Sequence, residues 1–506
     1  MDHFPQRPQN LQPVALGTLA ALVGGSGLSS GGSGVEISGI TLSSALVCRG
    51  DLFVALPGER THGARFAGEA ISRGALAVLT DSAGAGLCTA YDVPVVQVEN
   101  PRSVLGRVAA AVYHRPSEHL RMLGVTGTQG KTTTTRLLEG ALSAIGHPAA
   151  VVGTIGTRIN GLEIDSALTT PEASELQGLL AMMVEQGVDV CAMELSSHAL
   201  VLGRVDGIIF DVAAFLNLGR DHLDFHHDLA DYFAAKAGLF TAERARMGIT
   251  NIDDEHGRDL LGISSIPMQT MSIRDRSADW VATEISQDLA GSSFRVLGPD
   301  GLDLKARTGL VGEFNVANAL CAIALATNSG LDPAQVVAGL AGVTSVPGRL
   351  EGVVAGQDFL AVVDYAHKPD AVRAALESLR QMVPGRVIVV LGAGGDRDQG
   401  KRPLMGAVAA ELADVLIITD DNPRSEKPEL IRSQVREGAD QIAEGLRAQV
   451  FEIADRGTAI RTAVSLAGSG DAVLVAGKGH ETGQEIAGVV HPFDDRVQLR
   501  AALEEA

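Results

Sequence analysis

The segment GVTGTQGKTTTTRLLEGAL, residues 124–142, constrains this chain more than any other. An apolar run ends in a turn carrying Gly127 and Gly130, and a helical pattern opens at Lys131 and Thr132. Strand, glycine turn and helix in that order aim backbone N–H groups and a helix N-terminus at one point, which suits phosphate oxygens. Lys131 is placed to neutralise terminal phosphates and the Thr132 hydroxyl to hold Mg²⁺. The strict spacing GxxxxGK[ST] is not met, because Val125 stands where its first glycine belongs.

A chain built around such a loop needs a parallel α/β sheet, and the rest of the sequence supplies the pattern. Apolar runs AAVVGTIG, VDVCAMEL and FDVAAFLNL alternate with helical stretches such as PEASELQGLLAMMVEQ, predicting a parallel sheet covered on both faces. A third unit repeats the rhythm with RVIVVLGAGG, LMGAVAAELA, DVLIITDDNP and DAVLVAGKG. Before both, ALAVLT and VPVVQVE predict a small α/β unit that follows the Gly/Ser-rich stretch GGSGLSSGGSG, read as a mobile loop. The expected fold is α/β in three domains: 1–118, a smaller N-terminal unit; 119–348, a central phosphate-loop sheet; and 349–506, a Rossmann-like unit. A length of 506 residues fits that division.

The formal charge of −20 argues against nonspecific binding to nucleic acid or anionic lipid, while leaving room for a local basic pocket. Cys48, Cys88, Cys191 and Cys321 show no CxxC spacing and read as reduced, buried thiols of a cytoplasmic protein. No apolar span is long enough for a membrane helix, and the start of the chain lacks the pattern of a secretory signal.

Other candidates lie at strand tips. Glu194 in MELSSHAL reads either as a second Mg²⁺ ligand or as a solvated strand end. The run RDHLDFHHD offers His222, Asp224, His226 and His227, whose spacing fits hard-cation and phosphate chemistry better than zinc. Lys236, on the helix that follows, reads from its surroundings alone as a surface lysine.

Taken together, GTQGKTT, TTPEASELQ, MELSSHAL, LNLGRDHLDFH, YFAAKAGLF, GEFNVANALCAIA, VPGRLE, VDYAHKPD, GGDRDQGKRPLM, DDNPR and AGKGHE resemble the Mur ligase family over nearly the whole chain. Within it they resemble the branch that adds the third residue of the wall peptide. The resemblance implies an ATP-dependent ligase of peptidoglycan precursor synthesis, working in the cytoplasm as a monomer on UDP-N-acetylmuramoyl-L-Ala-D-Glu. It implies that Lys236 is carbamylated by CO₂ and shares Mg²⁺ with Thr132, Glu194 and His222. Gly127, Thr128, Gln129, Gly130, Lys131, Thr132, Thr133, Asn315, Asn318, Arg349, Asp364 and His367 would surround ATP, though caps and turns also explain several of them. Leu42, Ser44, Glu59, Arg60, Thr61, Thr169, Thr170, Ser196 and Arg204 would hold the UDP-substrate. Ser43 and Ala45 depart from the Asp-Ser-Arg that relatives usually show there.

The incoming amino acid is implied to be meso-diaminopimelate, held by Arg397, Asp421, Asn422, Pro423, Arg424, Gly477 and Glu481. Arg424 can present a bidentate guanidinium to the distal carboxylate that lysine lacks. Lysine would leave that guanidinium buried without a partner, at about 3 to 5 kcal/mol; the plainer reading is a turn with a solvated arginine. Rival functions are an L-lysine-adding ligase, a folylpolyglutamate synthase and a noncatalytic nucleotide-binding scaffold.

Overall fold

The computed structural model describes residues 7–28, 32–164, 168–288 and 291–506. Its strands assemble into three principal sheets. In the first, Gly39–Thr41, Asp51–Ala55, Ala77–Thr80 and Val95–Gln97 lie in sequence order and parallel. Helix Pro101–Val112 covers it, started by Asn100, whose side chain accepts from Arg102 N and Ser103 N ahead of Pro101 at the first helical position. Part of the Gly/Ser stretch is ordered, contrary to expectation. Ser26 exchanges two backbone bonds of 2.9 Å with Gln97, and Gly32–Gly34 forms a 3-10 turn. Residues 29–31 of that stretch lie outside the described residues.

The second sheet has eleven strands, with the phosphate-loop strand Arg121–Thr126 between Val190–Glu194 and Val212–Phe215. Its middle is parallel as the sequence predicts, but both edges are antiparallel. At one edge the hairpin Gly156–Ile159/Leu162–Ile164 turns on Asn160 (φ 47°) and Gly161 (φ 87°), an Asn-Gly pair suited to two left-handed residues. At the other edge Trp280–Asp288, Gly291–Gly298 and Leu302–Thr308 form a meander. The parallel rhythm did not forecast these additions. Helices Lys131–Ala144, Glu313–Asn328 and Pro333–Leu340 pack on one face, and Ala173–Glu185 belongs to the core on the other. Trp280, the chain's single tryptophan, is buried in the first of these cores, with Nε1 donating to Gln269 at 2.7 Å.

The third sheet runs Glu351–Gly352, Leu360–Asp364, Ala472–Ala476, Val387–Leu391, Val415–Ile418, Gln449–Glu452. All but the first strand are parallel. The last strand in sequence inserts between the second and third, so the chain reverses direction across the sheet there, and a crevice opens beyond the strand tips. Helices on its two faces close separate cores.

Charged side chains join the units. Glu172 accepts from Arg102 of the first unit at 3.1 Å and from Arg204 of the second at 2.9 Å. Arg349 and Lys368 of the third reach the phosphate loop.

Candidate functional site

The carboxyl tips of the central strands and those of the third sheet face one another across a cavity of about 480 Å³. Its floor is the predicted loop. Gly130 stands before helix Lys131–Ala144 with φ 85°, and a Cβ there would collide with Asn318 Oδ1. Among the described residues no side chain caps this helix, so its first N–H groups stay available to a ligand.

Glu194 lies at the tip of the adjacent strand and is buried. One oxygen accepts from Thr132 Oγ1 at 2.8 Å and Thr154 Oγ1 at 3.0 Å, and the other from Thr154 N at 2.8 Å. A Cβ on Gly153 would run into this carboxylate, which explains a glycine at that strand end. Thr132 and Glu194 thus pair two hard oxygen donors at a helix N-terminus, a set that fits Mg²⁺. From the third unit, Arg349 donates to Thr132 Oγ1 at 3.0 Å while stacking over Tyr365 at 4.7 Å.

Three lysines meet beneath the loop. Lys131 Nζ donates to Gly127 O at 2.7 Å and to Thr128 O at 3.3 Å; Lys236 Nζ reaches the same Gly127 O at 2.9 Å; Lys368 Nζ reaches Thr128 O at 3.3 Å. Burial, reinforced by Lys368, pushes Lys131 down to about 8. Burial and then Lys131 hold Lys236 well below the ordinary lysine value. Lys236 is only 1% exposed, so the surface-lysine reading is wrong: its helix turns this position inward over Tyr232. Asp221 is the nearby anion, accepting from Lys368 at 2.5 Å and paired with His222 Nε2 at 2.9 Å. His222 adopts φ 53°, a left-handed backbone of the sort held at functional sites, and burial lowers its pKa. The structure therefore brings Thr132 and Glu194 together, but joins His222 to Asp221 and Lys236 to a loop carbonyl.

Of the other ATP candidates, Thr128, Gln129, Thr133, Asn318, Arg349, Asp364 and His367 line the cavity. Asn315 sits behind it, donating to Val311 O at 2.7 Å and accepting from Asn318 at 3.2 Å. His367 Nδ1 faces Tyr365 O at 2.7 Å. A carbonyl only accepts, so Nδ1 carries the proton; burial holds the ring neutral, leaving Nε2 a free acceptor.

The UDP-substrate candidates are dispersed. Thr169 and Ser196 line the cavity. Thr170 braces it, donating to Glu194 O at 2.8 Å, and Ser196 caps a short helix. Arg204 is engaged by Glu172 and Thr170 O. In the first unit, Ser44 donates to Glu69 at 2.8 Å, Leu42 packs against the core, and Glu59, Arg60 and Thr61 form an exposed tip.

A second cluster occupies the third unit's strand tips. Asn422 donates to Glu481 at 2.8 Å, and the fully buried Lys478 bonds Asn422 at 2.9 Å, Glu481 at 3.2 Å and Asp421 at 3.4 Å. Gly477, at φ 120°, leaves no room for a Cβ beside Asp421 Oδ2. After Pro423, Arg424 (φ 52°) donates from its backbone to Glu485 O at 3.0 Å. Its guanidinium donates to Gly395 O at 2.6 Å and faces Glu485 Oε2 at 3.4 Å, with the side chain 24% exposed. The expected cost of an unpartnered buried charge does not apply, because the protein itself supplies partners. Arg397 is exposed on the loop after Val387–Leu391.

Sequence reasoning singled out neither Asp221, Lys368, Thr154 nor Lys478. Each stands next to a residue or motif it did use, but their partners are distant in sequence, so nothing local distinguishes them.

Residues 36–113, 125–326 and 348–479 match the family profiles for the Mur ligase catalytic domain, the Mur ligase middle domain and the Mur ligase glutamate ligase domain. Over 502 residues, 99% of this chain and 98% of the relative, the sequence is 48% identical to a UDP-N-acetylmuramoyl-L-alanyl-D-glutamate--2,6-diaminopimelate ligase of Streptomyces avermitilis. The chain belongs to the Mur ligase family. Another relative, a UDP-N-acetylmuramyl-tripeptide synthetase of Leifsonia xyli subsp. xyli, is 44% identical over 99% of this chain and 98% of its own. Among solved structures, a UDP-N-acetylmuramoyl-L-alanyl-D-glutamate--2,6-diaminopimelate ligase is 35% identical with a TM-score of 0.65, covering 93% of this chain and 95% of that one. Family membership makes this chain an ATP-dependent, amide-bond-forming ligase.

Proposed function

We propose that this Mur ligase joins meso-diaminopimelate to the D-Glu carboxyl of UDP-N-acetylmuramoyl-L-Ala-D-Glu at the expense of ATP. The observation that carries the reading is a phosphate loop with Lys131, Thr132 and Glu194 assembled on it, open toward a unit whose strand tips present Asp421, Asn422, Arg424 and Glu481. A carboxylate oxygen of D-Glu attacks the γ-phosphorus and ADP leaves, giving an acyl phosphate. The amine of the incoming amino acid then attacks the acyl carbon, phosphate leaves, and the amine gives up a proton. Lys131 and the loop N–H groups neutralise the transferring phosphoryl, and holding both substrates in one cavity removes most of the entropic barrier. His367 Nε2, a neutral acceptor in the same cavity, is the candidate to take the amine proton.

Thr132 and Glu194, with His222 and a carbamate on Lys236 nearby, would hold Mg²⁺, which would supply charge neutralisation at the phosphates. Burial disfavours the charged form of Lys236 and so favours the neutral Nζ that adds to CO₂, and the product would place an anion beside Lys131 and Lys368. The working division is 1–118 for the UDP-sugar, with Leu42, Ser44 and Glu59 to Thr61; 119–348 for ATP; and 349–506 for the amino acid. The reaction belongs to peptidoglycan precursor synthesis in the cytoplasm, carried out by a monomer, and through it to wall biogenesis, cell shape and division. The curated relatives named for 2,6-diaminopimelate favour that amino acid, while the tripeptide synthetase name leaves the residue open.

ADP release measured with the UDP-dipeptide and each candidate amino acid tests the proposal. Turnover with meso-diaminopimelate is expected; turnover only with L-lysine, only with a folate, or with nothing would replace it by the corresponding rival.

A further inference from the structure

Helix Pro369–Met382 begins with a lysine in the position where Ser, Thr, Asp or Asn belongs. Lys368 is the N-cap, in extended conformation, with no side-chain bond to the helix. It therefore leaves the first N–H groups uncapped and sets a cation at the positive end of the helix dipole, two choices that each cost stability. The side chain turns away from its own helix. It crosses to the central unit, where Nζ lies 2.5 Å from Asp221 Oδ2 and 3.3 Å from Thr128 O, the carbonyl that Lys131 also reaches at 3.3 Å. With Lys236 on Gly127 O, three lysines share two consecutive loop carbonyls, and Asp221 is the carboxylate that Lys368 meets. The ammonium groups of Lys131 and Lys368, brought to one loop carbonyl, are matched to an anion that arrives with the ligand. Docking alone does not explain it, since a half-exposed pair, Arg220–Asp398 at 3.6 Å, joins the same two units without full burial of either charge.

Resting on the ligase reading above, we propose that Lys368 is a further catalytic residue, a cation that the third unit inserts into the phosphoryl-transfer site as it docks. As the D-Glu oxygen bonds to the γ-phosphorus and the bond to ADP breaks, Lys368 Nζ moves from Asp221 to donate to an equatorial oxygen of the transferring group. It forms no covalent bond and gives up no proton. Docking of the amino-acid-binding unit and stabilisation of the acyl-phosphate step thereby become one event, so the activated carboxyl forms only when the unit carrying its acceptor is in place.

The test uses full-length enzyme with ATP, Mg²⁺ and both substrates, and compares Lys368→Asn with Lys368→Arg. Asparagine is a better N-cap, so this variant is expected to melt at or above the wild-type temperature. Its kcat should nevertheless fall on the order of a hundredfold, as for loss of one donor to a developing charge. Affinity for a fluorescent ADP analogue should change less than about threefold, since ADP lacks the group Lys368 contacts. Lys368→Arg should recover at least about a tenth of wild-type kcat, because it keeps the charge. The proposal is overturned if Lys368→Asn keeps kcat within about threefold, if its loss appears only in KM, or if arginine is no better than asparagine. A Lys368→Asn protein melting several degrees low would make the residue a docking latch and would overturn it equally. A wild-type enzyme that releases no ADP with any UDP-peptide would instead sink the ligase reading, before the variants are compared.

Discussion

Replacing Arg424 with alanine should erase most of the preference for meso-diaminopimelate over L-lysine without disturbing the fold. The backbone there has φ 52°, but arginine and alanine bear the same left-handed penalty, so the substitution adds no strain. The guanidinium gives up its bond to Gly395 O and its contact with Glu485, and Glu485 is 39% exposed and can be solvated. What is lost is the charge-assisted bond to the distal carboxylate. For a partly exposed arginine that already has protein partners, this is worth about 1.5 to 3 kcal/mol, in place of the larger cost of a buried unpaired charge. In kcat/KM that is roughly ten- to hundredfold or slightly more, appearing for diaminopimelate and not for lysine. Coupled ADP release at saturating ATP and UDP-dipeptide, with each amino acid varied, gives the two ratios. A wild-type enzyme that uses lysine equally well, or a variant that keeps the full ratio at an unchanged melting temperature, would show that Arg424 does not read the distal carboxylate.

Lys131→Ala should lose at least about a hundredfold in turnover while remaining folded, and near-normal ligation would remove the loop from the mechanism. Because Lys131 is held at about 8 against an ordinary 10.5, the unfolded chain binds more protons between those values. The ligand-free protein should therefore gain stability as pH rises through that window, and Lys131→Met should flatten the gain in denaturant titrations; an identical slope in both proteins would refute the assignment. Lys236→Ala should be inactive and partly restored by short carboxylic acids that replace the carbamate oxygens; a bare ammonium in metal- and substrate-loaded crystals grown with bicarbonate would contradict this. Small-angle scattering should show compaction when nucleotide and UDP-substrate bind together, whereas an unchanged radius of gyration would mean that Arg349 and Lys368 rest on the loop permanently.

What could be read ahead of the structure was what is local. The phosphate loop, the tip position of Glu194 and the βα rhythm of the third unit are patterns within about twenty residues, and they appear where expected. The antiparallel edges also turn on local pairs, Asn160-Gly161 and Asp300-Gly301, which the sequence reading did not take up. Lys236 could not be placed from its helix alone, because what buries it is Tyr232 and a carbonyl 109 residues earlier. Arg349 and Thr132 are 217 positions apart, and Lys368 and Thr128 are 240, so no spacing rule reaches them. The partners of Arg424 likewise come from a loop and a strand on either side of it in sequence, which is why its charge had looked unpaired.

Trp280 sets how this molecule reports on itself in solution. It is the only indole in the chain, and it is buried near the meander edge of one core, while separate apolar clusters hold the first and third units together. Its emission therefore follows melting of the central unit and is silent to the loss of either neighbour. If the units come apart independently, a fluorescence melt and a far-ultraviolet dichroism melt will differ in midpoint, and a single free energy taken from the fluorescence would describe the central unit under the name of the whole.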